Sequence, residues 1–170
     1  MDKKLEKVVQ ALQEKFGTTH EEFRDEAHVF VKAENIVEAL TLLRDKYDFE
    51  LLSALTASDY YPQQTPRFHV VYQLTSLARN LSVQLRVAVN GDQPKVPTAT
   101  GVYDLANWRE RELLDMFGIE FPGHPDPRRI LTADGMEGHP LRKDFPLGYE
   151  EPQFTFNYDD IDLKKIYAKE

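Results

Sequence analysis

The 170-residue sequence contains no cysteine. Without thiolates the chain cannot form a disulfide, ligate an iron–sulfur cluster or build a cysteine-type zinc site. It also lacks any apolar run near the roughly 20 residues that a membrane-spanning helix needs, and its first residues carry no apolar signal region. We therefore expect no direct membrane insertion, and a place in the cytosol or on the cytosolic side of a larger assembly.

A basic surface stripe is missing too. The chain carries 29 acidic and 21 basic residues, for a net charge of -8, and its basic residues occur in short runs only. An acidic protein repels phosphate backbones unless a local basic patch compensates, so we expect no nucleic-acid partner. A hydrophobic content of 41% and a charged content of 29% are typical of one soluble globular domain.

Common catalytic and nucleotide-binding patterns are also absent. The sequence has no HExxH, GxSxG or GxGxxG motif and no phosphate-binding loop. His124 and His139 each sit in a Gly-His-Pro triplet, and we expect each imidazole to bond a backbone carbonyl in a tight turn. Glu112 and Asp115 could do acid–base chemistry, but nearby arginines make ion pairs the favoured interpretation. We expect no catalytic residue, cofactor site or metal site in this chain.

Apolar periodicity predicts the regular elements. The link at 76–80 is short enough to join two strands as an antiparallel hairpin. The strand–helix–strand unit at 27–57 could place its two strands in parallel, and 49–57 is apolar on both faces, as in a central strand. The predicted helices are 3–16, 35–47 and 103–117, and the predicted strands are 27–33, 49–57, 67–75 and 81–89. The fold class is therefore α+β, a two-layer sandwich of a mixed four-stranded sheet with helices.

Regular patterning stops after Gly118. Six of the ten prolines lie between Pro122 and Pro152, yet the segment keeps many apolar side chains. Proline prevents continuous helix or central strand, and a loop this long is usually functional. We therefore divide the chain into an α+β domain, 1–118, and an extended partner-binding arm, 119–170. The alternative is that the arm folds back on its own sheet.

Charge composition favours a protein interface over a reactive site. Residues 106–145 hold eight acidic and six basic side chains, and five of those six bases are arginines. Arginine is enriched at protein contacts because its planar guanidinium forms two-point ion pairs and stacks on aromatic rings. Trp108, Phe117, Phe121 and Phe145 supply apolar groups beside them.

Two stretches carry a resemblance to a known family. ANWRERELLDMFGIEFPGHPDPRRIL, at 106–131, and GHPLRKDFP, at 138–146, resemble the signature of the 30-kDa subunit of respiratory complex I. That family typically reads ERExYDxFGIxFxGHPxLRRIL and then GxPLRKDYP. The chain departs from it at Leu114 and Phe145, where tyrosine is usual, and at Pro127, where leucine is usual.

The resemblance implies a role without catalysis of its own. Members of this family sit in the peripheral arm of NADH:quinone oxidoreductase, on the cytoplasmic side of the bacterial cell membrane. They bind the 49-kDa quinone-site subunit and an iron–sulfur subunit, while the complex as a whole uses FMN, iron–sulfur clusters, NADH and quinone. Carried onto matching positions, the resemblance implies a partner interface formed by Glu110, Arg111, Glu112, Asp115, His124, Pro125, Arg128, Arg129, Leu141, Arg142, Lys143 and Asp144.

Three other functions stay open on the residues alone. The chain could be the equivalent subunit of a ferredoxin-driven or hydrogenase-type relative, because other subunits select the electron donor. It could be a stand-alone binding module of an unrelated complex. It could also be a metal-dependent hydrolase using His124, His139 and Asp144, although two histidines in loops are a weak metal signal.

Overall fold

A five-stranded mixed sheet forms one layer of the fold, and three α-helices cover one of its faces. The structure is a computed structural model and describes residues 3–24, 26–133 and 135–146. The helices in these ranges are α1 (Lys3–Phe16), α2 (Ile36–Tyr47) and α3 (Ala106–Phe117), and a 3-10 turn, Ala33–Asn35, precedes α2. The strands are β1 (Thr19–Phe23), β2 (Glu26–Phe30), β3 (Leu51–Asp59), β4 (Phe68–Ser76) and β5 (Leu81–Val89). This arrangement confirms the predicted α+β class.

The sheet order is β1-β2-β5-β4-β3. Strand β2 runs parallel to β5, and the other neighbouring pairs are antiparallel. The predicted hairpin is present, with Phe68 opposite Val89 and Ser76 opposite Leu81. Strands β2 and β3 point in the same direction, as the strand–helix–strand pattern suggested, but β5 and β4 lie between them.

Two sequence-based expectations about the sheet need correction. The sheet has five strands rather than four, because Thr19–Phe23 pairs with β2 as an edge strand. All five of its residues are exposed, so it shows no apolar alternation that could have revealed it. Strand β3 lies at the opposite edge rather than in the centre. One of its faces buries Leu52 and Leu55, while Leu51 is 41% exposed.

One hydrophobic core joins the helices to the sheet. Strand β4 alternates strictly, with Phe68, Val70, Tyr72 and Leu74 buried, as period-two patterning predicts. Helix α1 buries Leu5, Val8, Val9 and Leu12 on the same core. Helix α3 packs on this face as well, since the ring of Phe117 lies 6.3 Å from that of Phe68. Within the described ranges, no helix is both long and apolar enough to cross a bilayer.

Helix α3 ends where the arm begins, and a glycine makes the transition. Gly118 has φ +68°, in the left-handed region, and its N–H donates to the Leu114 carbonyl at 3.0 Å. The next residues run beside the loop that precedes α3: Val96 N–H donates to the Glu120 carbonyl at 3.0 Å. Ile119 is fully buried and Phe121 is 7% exposed. The start of the arm is therefore part of the core.

Candidate partner interface

Asp115 organises the middle of the arm. Its Oδ2 accepts the backbone N–H groups of Ile130, Leu131 and Thr132 at 3.1, 2.7 and 2.9 Å. The Thr132 hydroxyl donates to Oδ1 at 2.5 Å. Burial alone would raise the pKa of this fully buried carboxyl, but the hydrogen bonds from Thr132, Leu131 and Ile130 outweigh it and lower the pKa to about 2. Asp115 is thus a charged anchor for the backbone at 130–132.

Glu110 lies earlier on α3 and binds the loop that precedes this helix. Its carboxylate accepts the Ala99 N–H at 2.7 Å and the Thr98 hydroxyl at 2.5 Å. The side chain is fully buried, and desolvation raises its pKa despite these bonds. Its contacts lie inside the chain, so its contribution is to fix the loop before α3 beside the arm.

Both histidines bind backbone carbonyls, which is what the Gly-His-Pro triplets predict. The Asp126 N–H donates to Nδ1 of His124 at 3.0 Å. The proton of that ring is therefore on Nε2, which donates to the Asn107 carbonyl at 3.0 Å. His139 Nδ1 donates to the Asp115 carbonyl at 2.9 Å, and burial lowers the pKa of His139. The two imidazoles attach the arm to α3.

Arginines of α3 and the arm bind carbonyl groups of the arm's backbone. Arg111 Nε donates to the Arg128 carbonyl at 2.9 Å, and Nη2 donates to the Arg129 carbonyl at 3.3 Å. Arg129 reaches Asp115 at 3.4 Å and the Gly138 carbonyl at 3.2 Å. The predicted arginine pairing of Asp115 is therefore present, and Glu112 pairs with Arg109 at 2.8 Å.

The second motif of the arm attaches to the sheet through Arg67. This buried guanidinium donates to Asp59 at 2.9 and 3.0 Å and to Asp144 at 2.6 and 2.9 Å. Lys143 contributes through its backbone, whose N–H donates to Asp59 Oδ2 at 2.9 Å. Arg142 Nε donates to the Phe117 carbonyl at 2.6 Å. Residues 142–144 thus contact both α3 and the β3–β4 corner.

The arm's described residues therefore make many contacts with their own domain. This is the packing that the alternative interpretation of the arm expected; residues 147–170 of the arm lie outside the described part. Other predicted interface residues face outward: Pro125 and Lys143 are exposed, Leu141 is 52% exposed and the Arg128 side chain is 78% exposed. Arg128 is paired with Asp126 at 2.6 Å.

Residues 29–151 match the family described as the 30-kDa subunit of respiratory-chain NADH dehydrogenase. The chain belongs to this family. The predicted resemblance is thereby confirmed, and the matched range contains the whole sheet from β3 onward, α3 and both arm motifs. The contacts described above thus show what the signature residues of the 30-kDa family bind in this chain.

Curated relatives in the 30-kDa family are similar along most of the chain. The NADH-quinone oxidoreductase C subunit of Roseiflexus sp. (strain RS-1) is 48% identical over 151 residues, covering 88% of this chain and 86% of the relative. The protein of the same name from Phenylobacterium zucineum (strain HLK1) is 50% identical over 135 residues, covering 79% of this chain and 61% of the relative.

Solved structures of related chains share the fold. A trypsin-resistant fragment of Nqo5 superposes with a TM-score of 0.65 at 34% identity, covering 72% of this chain and 98% of the fragment. A chain of the membrane-bound sulfane sulfur reductase, an archaeal respiratory membrane complex, gives a TM-score of 0.72 at 25% identity. The superposition covers 85% of this chain and 86% of the reductase chain.

Sequence reasoning missed several of the partners that the 30-kDa signature residues use. Arg67, Asp59 and Thr98 lie outside both motifs, and nothing in their local sequence marks them. The hydrolase hypothesis gains no support from the geometry: Asp144 binds Arg67, and no group of three histidine or acidic side chains in the described segments is placed to hold a metal ion.

Proposed function

We propose that this chain is a non-catalytic, peripheral subunit of a proton-translocating NADH–quinone oxidoreductase. In this role it holds the quinone-site subunit in place while electrons pass from NADH to quinone. The observation that carries the proposal is the family match over 29–151. The site geometry supports it, because Glu110, Asp115, His124 and His139 all bind backbone groups of this chain. Such contacts position a surface rather than activate a substrate.

The interface in this proposal has an inner and an outer set of residues. The inner set, bonded within the chain, fixes the shape of the arm: Glu110, Arg111, Asp115, His124, Arg129, Arg142 and Asp144. The outer set is distinguished by exposed or half-exposed side chains that a neighbour can reach: Glu112, Pro125, Arg128, Leu141 and Lys143. Residues 119–170 act as the partner-binding arm, and its partners are the 49-kDa quinone-site subunit and an iron–sulfur subunit.

The cofactors of the reaction belong to other subunits in this proposal. FMN, the iron–sulfur clusters, NADH and quinone are bound elsewhere in the complex, and this chain binds none of them. Lacking cysteine, it could not ligate a cluster through thiolates. Its place is on the cytoplasmic side of the bacterial cell membrane, attached through its partners.

Affinity purification of the tagged full chain from its native membrane tests the proposal. We expect co-purification with flavin- and cluster-bearing subunits and with NADH–quinone activity. The Arg128→Ala variant should lower the yield of the assembled complex, because its exposed guanidinium bonds Asp126, two residues away, and attaches no other described element. Arg142→Ala would also remove the bond between the arm and the end of α3. A chain that purifies alone, or that turns over substrate by itself, would overturn the proposal.

A second candidate is an equivalent subunit in a ferredoxin-driven or hydrogenase-type relative. The similarity to a chain of the sulfane sulfur reductase favours it, since the same fold occurs in a respiratory complex of another name. The identities of 43–50% to subunits named for NADH and quinone favour the first candidate. The co-purifying electron-input subunit decides between them.

A further inference from the structure

Four large apolar side chains line one open groove between α3 and the arm. Leu105 and Trp108 come from the start of α3, and Ile130 and Leu131 from the arm. They are 39%, 57%, 37% and 63% exposed. We call these four residues the Trp108 patch. Scattered exposed hydrophobics are normal, but a contiguous group indicates an interaction site.

The buried carboxylate of Asp115 fixes the backbone that carries the arm side of this patch. Asp115 binds the N–H groups of Ile130 and Leu131, and Arg111 binds the carbonyls just before them. Backbone N–H and carbonyl groups at 128–131 are thus both bonded, so the two side chains project from a backbone that is held on α3. A surface that is ordered before binding loses less conformational entropy when a partner arrives.

The charges around the patch indicate what covers it. Among the residues that the structure describes, Arg109 and Glu112 alone line the groove besides the four apolar residues, and they pair with each other at 2.8 Å. Arg111 lies over the Trp108 ring, 5.4 Å from its centre, and bonds backbone carbonyls. The described lining of the groove thus offers no unpaired charge to a partner, although the whole chain has a net charge of -8.

We propose that the Trp108 patch docks an uncharged, apolar ridge of a neighbouring subunit. This inference rests on the proposed function and names the surface and the partner chemistry for it. A charged ridge would have to break the Arg109–Glu112 pair or lose solvation without a counter-charge. An aliphatic or aromatic ridge carries no charge that would lose solvation. It also removes the four exposed side chains from water.

The test uses the assembled complex and two matched leucines. Leu131 is 63% exposed in the patch, and Leu77 is 67% exposed in the β4–β5 turn, away from it. We expect Leu131→Ser and Trp108→Ala to reduce retention of the chain in the purified complex by roughly tenfold or more, as for hot-spot residues. Leu77→Ser should be retained like the parent chain, and raising the salt concentration to 0.5 M should change retention of the parent chain little, about twofold at most.

Trp108 is the single tryptophan of the chain, so it reports on the patch in the isolated full-length protein. We expect acrylamide to quench its fluorescence readily. Protection that persists on dilution would mean that the chain covers its own patch, and protection that disappears on dilution would mean a second copy does; either result overturns the proposal.

Retention of the chain in the purified complex distinguishes failure of this inference from failure of the proposed function. If patch variants stay bound while Arg128→Ala or high salt releases the chain, an interface exists but the patch is not its apolar centre. If no subunits co-purify with the parent chain at all, the proposed function itself fails. Equal loss for Leu77→Ser and Leu131→Ser would show a general folding defect, and the claim for the patch would be overturned.

Discussion

Arg67 and Asp144, 77 positions apart in the sequence, form a two-point ion pair with N–O distances of 2.6 and 2.9 Å. The same guanidinium binds Asp59, whose side chain is 2% exposed, whereas the Asp144 side chain is 40% exposed. The hydrogen bonds to Asp59 and Asp144 raise the pKa of Arg67. One buried cation therefore joins the sheet to the second motif of the arm.

Arg67→Met should destabilise the chain far more than Asp144→Asn. Removing Arg67 leaves Asp59 buried without a counter-charge, which costs about 3–5 kcal/mol. Removing the charge of Asp144 breaks a partly solvated pair, worth roughly 1 kcal/mol or less. Urea unfolding followed by Trp108 fluorescence measures both. Similar losses for the two variants would contradict the unequal burial of the two carboxylates.

Acid should weaken the contact between α3 and the arm. The pKa of Asp115 is lowered from 3.8 to about 2 in the folded chain, so its contribution is present above its unfolded pKa and is lost as pH falls through the folded one. A shift of this size corresponds to roughly 2 kcal/mol. Asp115→Asn should cost about that amount at pH 7 and should flatten the stability profile between about pH 4 and pH 2.

Urea unfolding at a series of pH values checks the Asp115 prediction. Asp59 and Asp144 also have lowered pKa values, so the parent chain and Asp144→Asn serve as comparisons. A profile for Asp115→Asn as steep as that of the parent chain would show that Asp115 is not the group responsible.

The contribution of Glu110 to stability should depend on pH in the opposite direction to that of Asp115. Burial raises its pKa above 4.5, so its contribution to stability is largest at low pH and declines as pH rises through the folded pKa. Glu110→Gln keeps an oxygen for the Ala99 N–H, and its amide can donate to Thr98, whose hydroxyl has Thr100 as an alternative acceptor at 3.0 Å. We expect that variant to lie within about 1 kcal/mol of the parent chain at pH 7.

Glu110→Ala is the contrasting variant. It leaves the buried Ala99 N–H without its acceptor, which costs about 1–3 kcal/mol, and it opens a cavity as well. Thermal unfolding at pH 7 and at pH 4.5 separates the two variants. If Glu110→Gln were as damaging as Glu110→Ala at pH 7, the carboxylate charge itself would be required.

Local periodicity was enough to predict most of the fold. Period-two alternation located β4 and β5 because each strand buries one face, and 3–4 spacing located α1 within its observed limits. Strand β1 escaped detection because its side chains are exposed and its backbone pairing carries no sequence pattern. The sequence motifs indicated the arginine pairing of Asp115, but not its bond to the Leu131 N–H or the pairing of Asp144 with Arg67. Those two contacts are formed only by the folded chain.

Gly118→Ala should be much more damaging than Gly17→Ala, although both glycines end helices, with φ of +68° and +63°. An added Cβ at Gly17 meets nothing within 4 Å, whereas at Gly118 it would lie 2.6 Å from Arg142 Nη2 and also too close to His139. Neither side chain is free to move away, because each is bonded to a carbonyl of α3, at Asp115 and Phe117. Gly17→Ala should therefore cost about 1 kcal/mol, the strain of the left-handed backbone alone.

Gly118→Ala should cost that strain plus the displacement of both arm contacts, in total about 3 kcal/mol or more. Urea unfolding of the two variants in parallel measures the difference. Equal losses would mean that His139 and Arg142 yield easily, and the arm's second motif would then be attached through Arg67 and Asp59 rather than through the end of α3. A large difference would instead identify Gly118 as the position where the sheet domain and the arm depend on the same backbone geometry.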